Sequence, residues 1–326
     1  MFRFRRRLRA LRPIIFRSLF AFFSAAIAWS PGTFVHAQDD NTSAIRVNSY
    51  LVMLDATVKT KSGDIMNTLK KEDFEVREDG AQQKIEIFSR DELPLNIAIV
   101  LDLSDSIGPY LGSLRDAATT ALSTLKSDDQ VALFTFSTEA QMVVPLTKDK
   151  ASVAAAISSL KAGGATNIND GIFAASQNFL ATAPAGRRVI ILISDDVGTD
   201  AGAQGTKDIV TETIAADASV YNLKIPGYNP LSTRLYSSSV PGLVNISKVA
   251  ELTGGEIFDV PDDAHLTSVF DALIERIRTR YTLGYYTSAN GARGKPHKLD
   301  VRLAPSFGTK GRDYIVLARS SYYIGP

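Results

Sequence analysis

The sequence predicts an α/β fold: a doubly wound, mostly parallel sheet with an accessory β-rich domain formed by the flanking segments. Three observations predict it. Across residues 93–280, apolar runs of strand length alternate with amphipathic stretches of helical period, the order expected of parallel strands joined by helices. On both sides of that region, short segments alternate apolar and polar residues and end at glycine or aspartate turns, the pattern of half-buried antiparallel strands. A chain of 326 residues with 45% hydrophobic content also has enough apolar side chains for a large core, in one big domain or two smaller ones.

Residues 1–37 read as an export signal that is removed. Arg3, Arg5, Arg6, Arg7, Arg9, Arg12 and Arg17 precede the apolar stretch SLFAFFSAAIAW, and Val35-His36-Ala37 offers a cleavage site before Gln38. The apolar core is shorter than the ~20 residues needed to span a bilayer, so membrane contact is expected only if the signal stays uncleaved. The expected location is exported, either periplasmic or secreted. Without the signal's 7 arginines, 29 basic residues stand against 35 acidic ones, a net charge of −6, which argues against a nucleic-acid partner. Cysteine is absent, so neither a disulfide framework nor a thiolate zinc site is available. Any metal must be held by oxygen donors or histidine, which makes hard cations the natural candidates.

Residues 38–92 form the first β-rich segment: SYLVMLDATVKT, a turn at KSGD, DFEVRED, a turn at Gly80, then QQKIEIFSR. In residues 93–280, strands are expected over 96–103, 130–136, 189–194, 219–225 and 255–260, all mostly apolar and rich in β-branched residues. QMVVPLT adds an edge strand, where Pro145 is tolerated. Helices are expected around 110–125, 151–160, 170–180, 207–216, 246–252 and 264–280. Residues 281–326 return to β character with YTLGYYTS, a glycine-rich turn at 290–294, HKLDVRLAP and DYIVLARSSYYI. Neither flank alone has enough strands to bury a face, so 281–326 is expected to pack with 38–92 in one small sandwich.

Ligands of an open parallel sheet gather beyond the carboxyl ends of its strands. Asp102, Ser104 and Ser106, in IVLDLSDSIGPY, stand at such an end. An extended path continuing to Ser106 would aim all three side chains to one side and send Leu103 and Asp105 elsewhere. Two later loops supply further oxygens: GGATNIND places Thr166 after flexible glycines, and LISDDVGTD places Asp195 and Asp196 directly after an apolar strand. Hydroxyls combined with two carboxylates suit magnesium or manganese, which keep waters in part of their shell and leave a position for a partner's carboxylate. An Asp-x-Ser-x-Ser loop by itself is more often a helix start whose free amides are capped; Thr166 and Asp195, in order and after the right kinds of segment, turn the reading to metal binding. Asp105 and Asp170 are read as solvent-facing or capping residues.

Together these residues resemble the metal-ion-dependent adhesion site (MIDAS) of the von Willebrand factor A (VWA) domain, which combines an Asp-x-Ser-x-Ser loop with a distant threonine and a distant aspartate. Here the matching residues are Asp102, Ser104, Ser106, Thr166 and Asp195. The resemblance covers about 93–280 and implies a Rossmann-like, doubly wound domain. It further implies that Ser104 and Ser106 bind a divalent cation directly, Thr166 directly or through water, and Asp102 and Asp195 chiefly through water. Mg2+ is the first expectation, with Mn2+ or Ca2+ as alternatives. The flanks KEDFEVREDGAQQKIEIFSR and RTRYTLGYY resemble the bacterial VWFA-related proteins of acidobacterial type. In one departure, Asp196 stands where a glycine often follows the last aspartate, adding a carboxylate that either strengthens cation binding or opposes an acidic ligand.

The function implied is an exported, metal-dependent protein-binding module for adhesion or assembly, whose partner offers an Asp or Glu carboxylate to the metal. The alternative is a structural envelope-assembly domain whose metal only stabilises the fold. An enzyme is not expected. A phosphoryl-accepting aspartate would need the second carboxylate usual in such loops, and Ser104 or Ser106 as a nucleophile would need a base. His265 falls at a predicted helix start and His297 in the last β segment, and no GxxxxGK[ST] loop occurs. A metal-dependent hydrolase is the weaker remaining reading. Tyr281, Tyr285, Tyr286, Tyr322 and Tyr323 are read as shared between core and surface of strands rather than as an aromatic binding face.

Overall fold

Alternation decides the first element. Tyr50–Thr60 (β1) buries Val52, Leu54, Ala56 and Val58, the period-two pattern of a strand with one face on a core. The short strands Phe74–Glu78 (β2), Ala81–Gln83 (β3) and Ile87–Ser89 (β4) follow. The computed structural model describes residues 50–90, 93–227, 241–287, 295–307 and 313–323, which belong to one compact unit, Val47–Pro326. The expected signal at 1–37 and the turn at 290–294 lie outside the described residues.

The central region alternates as its hydrophobic pattern requires. Leu95–Asp102 (β5) leads to Leu111–Thr124 (α1), Gln130–Phe136 (β6), Ala140–Thr147 (β7), Lys150–Ser159 (α2) and Ile168–Thr182 (α3). Arg187–Ser194 (β8), Thr206–Ala215 (α4), Ala218–Lys224 (β9), Ile246–Thr253 (α5), Ile257–Asp259 (β10) and Leu266–Arg278 (α6) complete it. The sheet order is β10-β9-β8-β5-β6-β7; its pairs are parallel except β6 with the edge strand β7. Every residue of β5 is buried, because both faces are covered. Ile97, Ile99 and Leu101 pack with Leu114, Val153 and Leu273 of α1, α2 and α6. Ala98 and Val100 pack with Ile172, Ile209 and Val249 of α3, α4 and α5 on the other side. The fold is therefore the expected doubly wound α/β sheet, accompanied by antiparallel sheets. Among the described residues, no helix is long and apolar enough to cross a membrane.

Two boundaries differ from the sequence expectation for local reasons. The third helix starts at Ile168 rather than near Asp170, because Asn167 Oδ1 accepts the Asp170 amide at 3.2 Å and caps the helix. The last strand begins only at Ile257, after the backbone at Gly255 passes so close to β9 that a Cβ there would lie 1.8 Å from the Val220 carbonyl oxygen.

After α6 the chain returns through Tyr281–Thr287 (β11), Pro296–Leu303 (β12), Tyr314–Ala318 (β13) and Ser321–Tyr323 (β14). Two four-stranded sheets result, ordered β13-β1-β11-β4 and β14-β12-β2-β3. Each mixes strands from before and after the central region. Val52, Ala56, Phe74, Val76, Tyr281, Tyr285, Leu299 and Tyr322 share one core between them. The Tyr281 hydroxyl donates to the Met66 carbonyl at 2.8 Å and accepts the Leu69 amide at 2.9 Å. Of the tyrosines, Tyr281, Tyr285 and Tyr322 are buried while Tyr286 is exposed, as strand alternation requires. Ending the chain at Arg280 removes both sheet neighbours of β1 and one neighbour of β2. Limited proteolysis of that truncated chain is expected to cut within 50–90, where the full chain resists; equal resistance would contradict the pairing.

Candidate metal centre

Asp102 ends the apolar run of β5 and is fully buried. Its Oδ1 accepts the Ser104 amide at 2.8 Å, and its Oδ2 accepts the Ser194 hydroxyl at 2.7 Å. The first bond closes an Asx-type turn that ends the strand. Ser104 keeps extended backbone at φ −61° and ψ 164°, and a 3-10 helix occupies Asp105–Tyr110. The extended path thus stops at Ser104 rather than persisting to Ser106, which corrects the period-two expectation. The turn nevertheless brings the hydroxyls together, with Ser104 Oγ 3.1 Å from Ser106 Oγ. Ser104 gives the 3-10 helix no side-chain cap, so its hydroxyl is not consumed by helix capping. Asp105 is exposed.

The neighbouring strand supplies the second loop. Leu101 of β5 is paired with Ile193 of β8, so Ser194 and Asp195 emerge beside Asp102. Asp195 is buried, its Oδ1 accepts the Val197 amide at 3.0 Å, and its carboxylate takes a hydrogen bond from Ser106. The third loop is docked on the first through Gly163 N to the Leu103 carbonyl, 2.7 Å, and on the turn between β6 and β7 through Asn167 N to the Ser137 carbonyl, 2.8 Å. Gly164 permits that approach: its φ is +104°, and a Cβ there would lie 3.3 Å from Ser137 Cβ and Thr138 Oγ1. Thr166 is buried in this loop, with its amide bonded to Thr199 Oγ1 at 2.8 Å and its carbonyl accepting the amides of Thr199 and Asp200. Asp102, Ser104, Ser106 and Asp195 thereby form one hydrogen-bonded group, and Thr166 is tied to it through the backbone of its loop.

Burial pushes the Asp102 carboxyl up to about 6; the bonds from Ser104 and Ser194 work against that rise, and the charge of Asp195 adds to it. Burial likewise raises Asp195. Two raised acids side by side, surrounded by hydroxyl oxygens, form a donor set that a divalent cation would return to full ionisation. Magnesium-type ions take such oxygens with water completing the shell. Sequence reasoning missed Ser194. The available signal was a serine closing an otherwise apolar buried strand, where only a polar partner justifies it.

Asp196 is not part of that group. Its backbone is left-handed at φ +64°, a region open to glycine and tolerated by aspartate, which explains why glycine suits this position. Its two carboxylate oxygens accept from Asn222 Nδ2 at 2.8 and 2.9 Å, and Lys224 Nζ lies 3.8 Å away. Burial pushes its carboxyl up to about 6. The folded protein then holds this proton more tightly than the unfolded chain, so stability falls as pH rises from about 4 through about 6. Asp196→Asn keeps an acceptor and the left-handed turn while removing the charge. It is expected to stabilise the chain near pH 7 by up to roughly 3 kcal/mol and to make no difference below the unfolded pKa of about 3.8, as urea denaturation at the two pH values would report.

Residues 97–198 match the family described as the von Willebrand factor type A domain. Among curated proteins, an uncharacterized protein of Synechocystis is 36% identical over 83 residues, which is 24% of this chain and 20% of that protein. The chain therefore spans only about a fifth of that relative. Among solved structures, the von Willebrand factor type A protein from Catenulispora acidiphila aligns with a TM-score of 0.47 at 13% identity, covering 71% of this chain and 69% of its own. Proximal thread matrix protein 1 from the mussel byssus, with a zinc-occupied MIDAS motif, aligns with a TM-score of 0.46 at 17% identity, covering 62% of this chain and 50% of its own. With the family match running from β5 to the loop that follows Asp195 and Asp196, and the doubly wound sheet around it, this chain carries a von Willebrand factor type A domain.

Proposed function

We propose that the chain is an exported, metal-dependent protein-binding module for adhesion or assembly. Asp102, Ser104, Ser106, Thr166 and Asp195 hold a divalent cation, Mg2+ first, with Mn2+ or Ca2+ as alternatives. Its open position takes an Asp or Glu carboxylate from a partner protein. The observation that carries this reading is the buried pair of raised carboxylates, Asp102 and Asp195, joined to the hydroxyls of Ser104 and Ser106 at the carboxyl edge of the parallel sheet.

The loops are held by bonds internal to the protein, from Ser194 to Asp102, Gly163 to Leu103 and Thr199 to Thr166. These bonds support the loops independently of an ion, and the reading accordingly gives the metal a recognition role over a purely structural one. Capture of a partner from envelope extract is expected to disappear in chelator while the circular dichroism of the chain stays unchanged. Loss of folding in chelator would instead give the metal the structural role. The reading includes no catalytic step. Among the described residues, the Ser104 and Ser106 hydroxyls meet each other, while the Nδ1 atoms of His265 and His297 meet Asp262 and Asp79.

Export rests on residues 1–37. Trp29 is the only tryptophan of the chain. Mature protein purified from its native host is expected to show tyrosine emission alone, whereas a tryptophan band would mean that the signal remains attached.

A further inference from the structure

The β sandwich carries a second cluster of metal-ligating side chains, in sheet β14-β12-β2-β3. Glu78 closes β2, Asp79 begins the turn into β3, and His297 lies on β12, where Leu299 is paired with Glu78. Glu78 and His297 are 3% and 7% exposed. Asp79 adopts φ +48°, and its carboxylate reaches β12, with Oδ1 accepting the Lys298 amide at 2.9 Å and Oδ2 lying 2.9 Å from His297 Nδ1. Glu78 Oε1 is 3.4 Å from the same nitrogen. One ligating atom from each residue lies within 4.8 Å of the other two.

A second observation points to a ligand. Glu78 Oε1 accepts from Tyr322 Oη at 2.6 Å and Thr287 Oγ1 at 3.0 Å, whereas Oε2 of the same carboxylate is buried without a hydrogen bond, and the Tyr285 hydroxyl beside the carboxylate is buried and unpaired too. A buried carboxylate oxygen without a donor is destabilising unless a cation or a proton meets it. The surrounding bonds resemble the outer support of a metal site, in which hydroxyls and amides hold the carboxylates. The separations also fit. A tetrahedral shell with bonds of about 2.0–2.1 Å sets its ligand atoms about 3.3 Å apart, close to the 2.9 and 3.4 Å found here. The stacking of His297 on Tyr322, with ring centroids 5.2 Å apart, fixes the imidazole plane.

We propose that Glu78, Asp79 and His297 form a second divalent-metal site, of one nitrogen and two carboxylates, suited to zinc. It is separate from the oxygen-only centre at Asp102 and does not depend on that centre's being correct. The donor set differs in kind: an imidazole with carboxylates selects zinc-like ions, whereas hydroxyl and carboxylate oxygens select magnesium.

The probe is zinc itself, titrated calorimetrically into the full chain in excess Mg2+, so that the hard-ion centre is competed. The chain is expected to bind one zinc ion, with affinity falling at least about 10–100-fold in His297→Gln and in Asp79→Asn and staying unchanged in Asp102→Ala. Asp79 is half exposed, which makes its variant the safer one should His297→Gln misfold, and circular dichroism checks both. Absence of zinc binding by the folded wild-type chain, or affinity unchanged in folded Asp79→Asn and His297→Gln, would overturn the site. Loss of zinc binding in folded Asp102→Ala would overturn it as well, because the zinc would then sit at the first centre.

Discussion

Replacing Asp102 by alanine is expected to lower the affinity for Mn2+ by about 10–100-fold, and replacing Asp195 to do the same, while Asp105→Ala leaves it unchanged. The difference follows from position. Asp102 and Asp195 are buried beside the Ser104 and Ser106 hydroxyls, whereas Asp105 is exposed on the 3-10 helix. Removing a carboxylate takes a charge out of the shell and also releases the loop. With alanine at 102, the Ser104 amide and the Ser194 hydroxyl lose their acceptor, each at a cost of about 1–3 kcal/mol. Asp102→Asn separates these effects in part, since it keeps an acceptor for the Ser104 amide while removing the charge and the second acceptor oxygen that meets Ser194. Calorimetric titration of Mn2+ into the three alanine variants and Asp102→Asn reads the result directly. Equal affinity in wild type, Asp102→Ala and Asp195→Ala would remove both residues from the site.

Arg187→Ala is expected to destabilise the chain by about 3–5 kcal/mol, measured as a lowered urea midpoint. Arg187 is 4% exposed and makes five hydrogen bonds from β8. Its Nε meets Asp55 Oδ2 of β1 at 3.1 Å; its two terminal nitrogens reach the carbonyls of Ile277, Arg278 and Arg280 and the hydroxyl of Thr282. One guanidinium thus satisfies orphan carbonyls at the end of α6 and joins the central sheet to the sandwich. Alanine leaves the Asp55 carboxylate without its charged partner and the carbonyls without donors. Lysine is expected to recover little, because a single ammonium cannot reproduce the planar fork that meets partners in three directions. A loss below about 1 kcal/mol would mean that the joint between the two regions does not depend on this guanidinium.

The central domain was legible because its information is local. The run IAIVLD in β5 is buried on both faces, and that alone distinguishes it from the alternating flanks. The residues of the metal centre were legible as types in an order, since small oxygen donors after apolar strands have few other uses. Their arrangement was not. The turn after Asp102 is made by its own carboxylate binding the Ser104 amide, and an alternation argument has no term for a side chain that ends its own strand. Asp196 could be read as an added charge but not as a residue turned to Asn222, because the sign of φ at 196 and the identity of its neighbour on β9 are set by the assembled sheet. The cluster at His297 was hidden for a similar reason. Glu78 and His297 stand more than two hundred positions apart, and only the antiparallel register of β2 with β12 places them together.

The central claim is that three loops at the carboxyl edge of the sheet converge on one divalent cation. Anomalous diffraction from crystals grown in Mn2+, collected at the manganese edge, tests it most directly. A peak is expected bonded to Ser104 Oγ and Ser106 Oγ at about 2.0–2.6 Å, with Thr166 on the same ion and the Asp102 and Asp195 carboxylates around it. A folded, manganese-saturated crystal with no peak between these loops would contradict it.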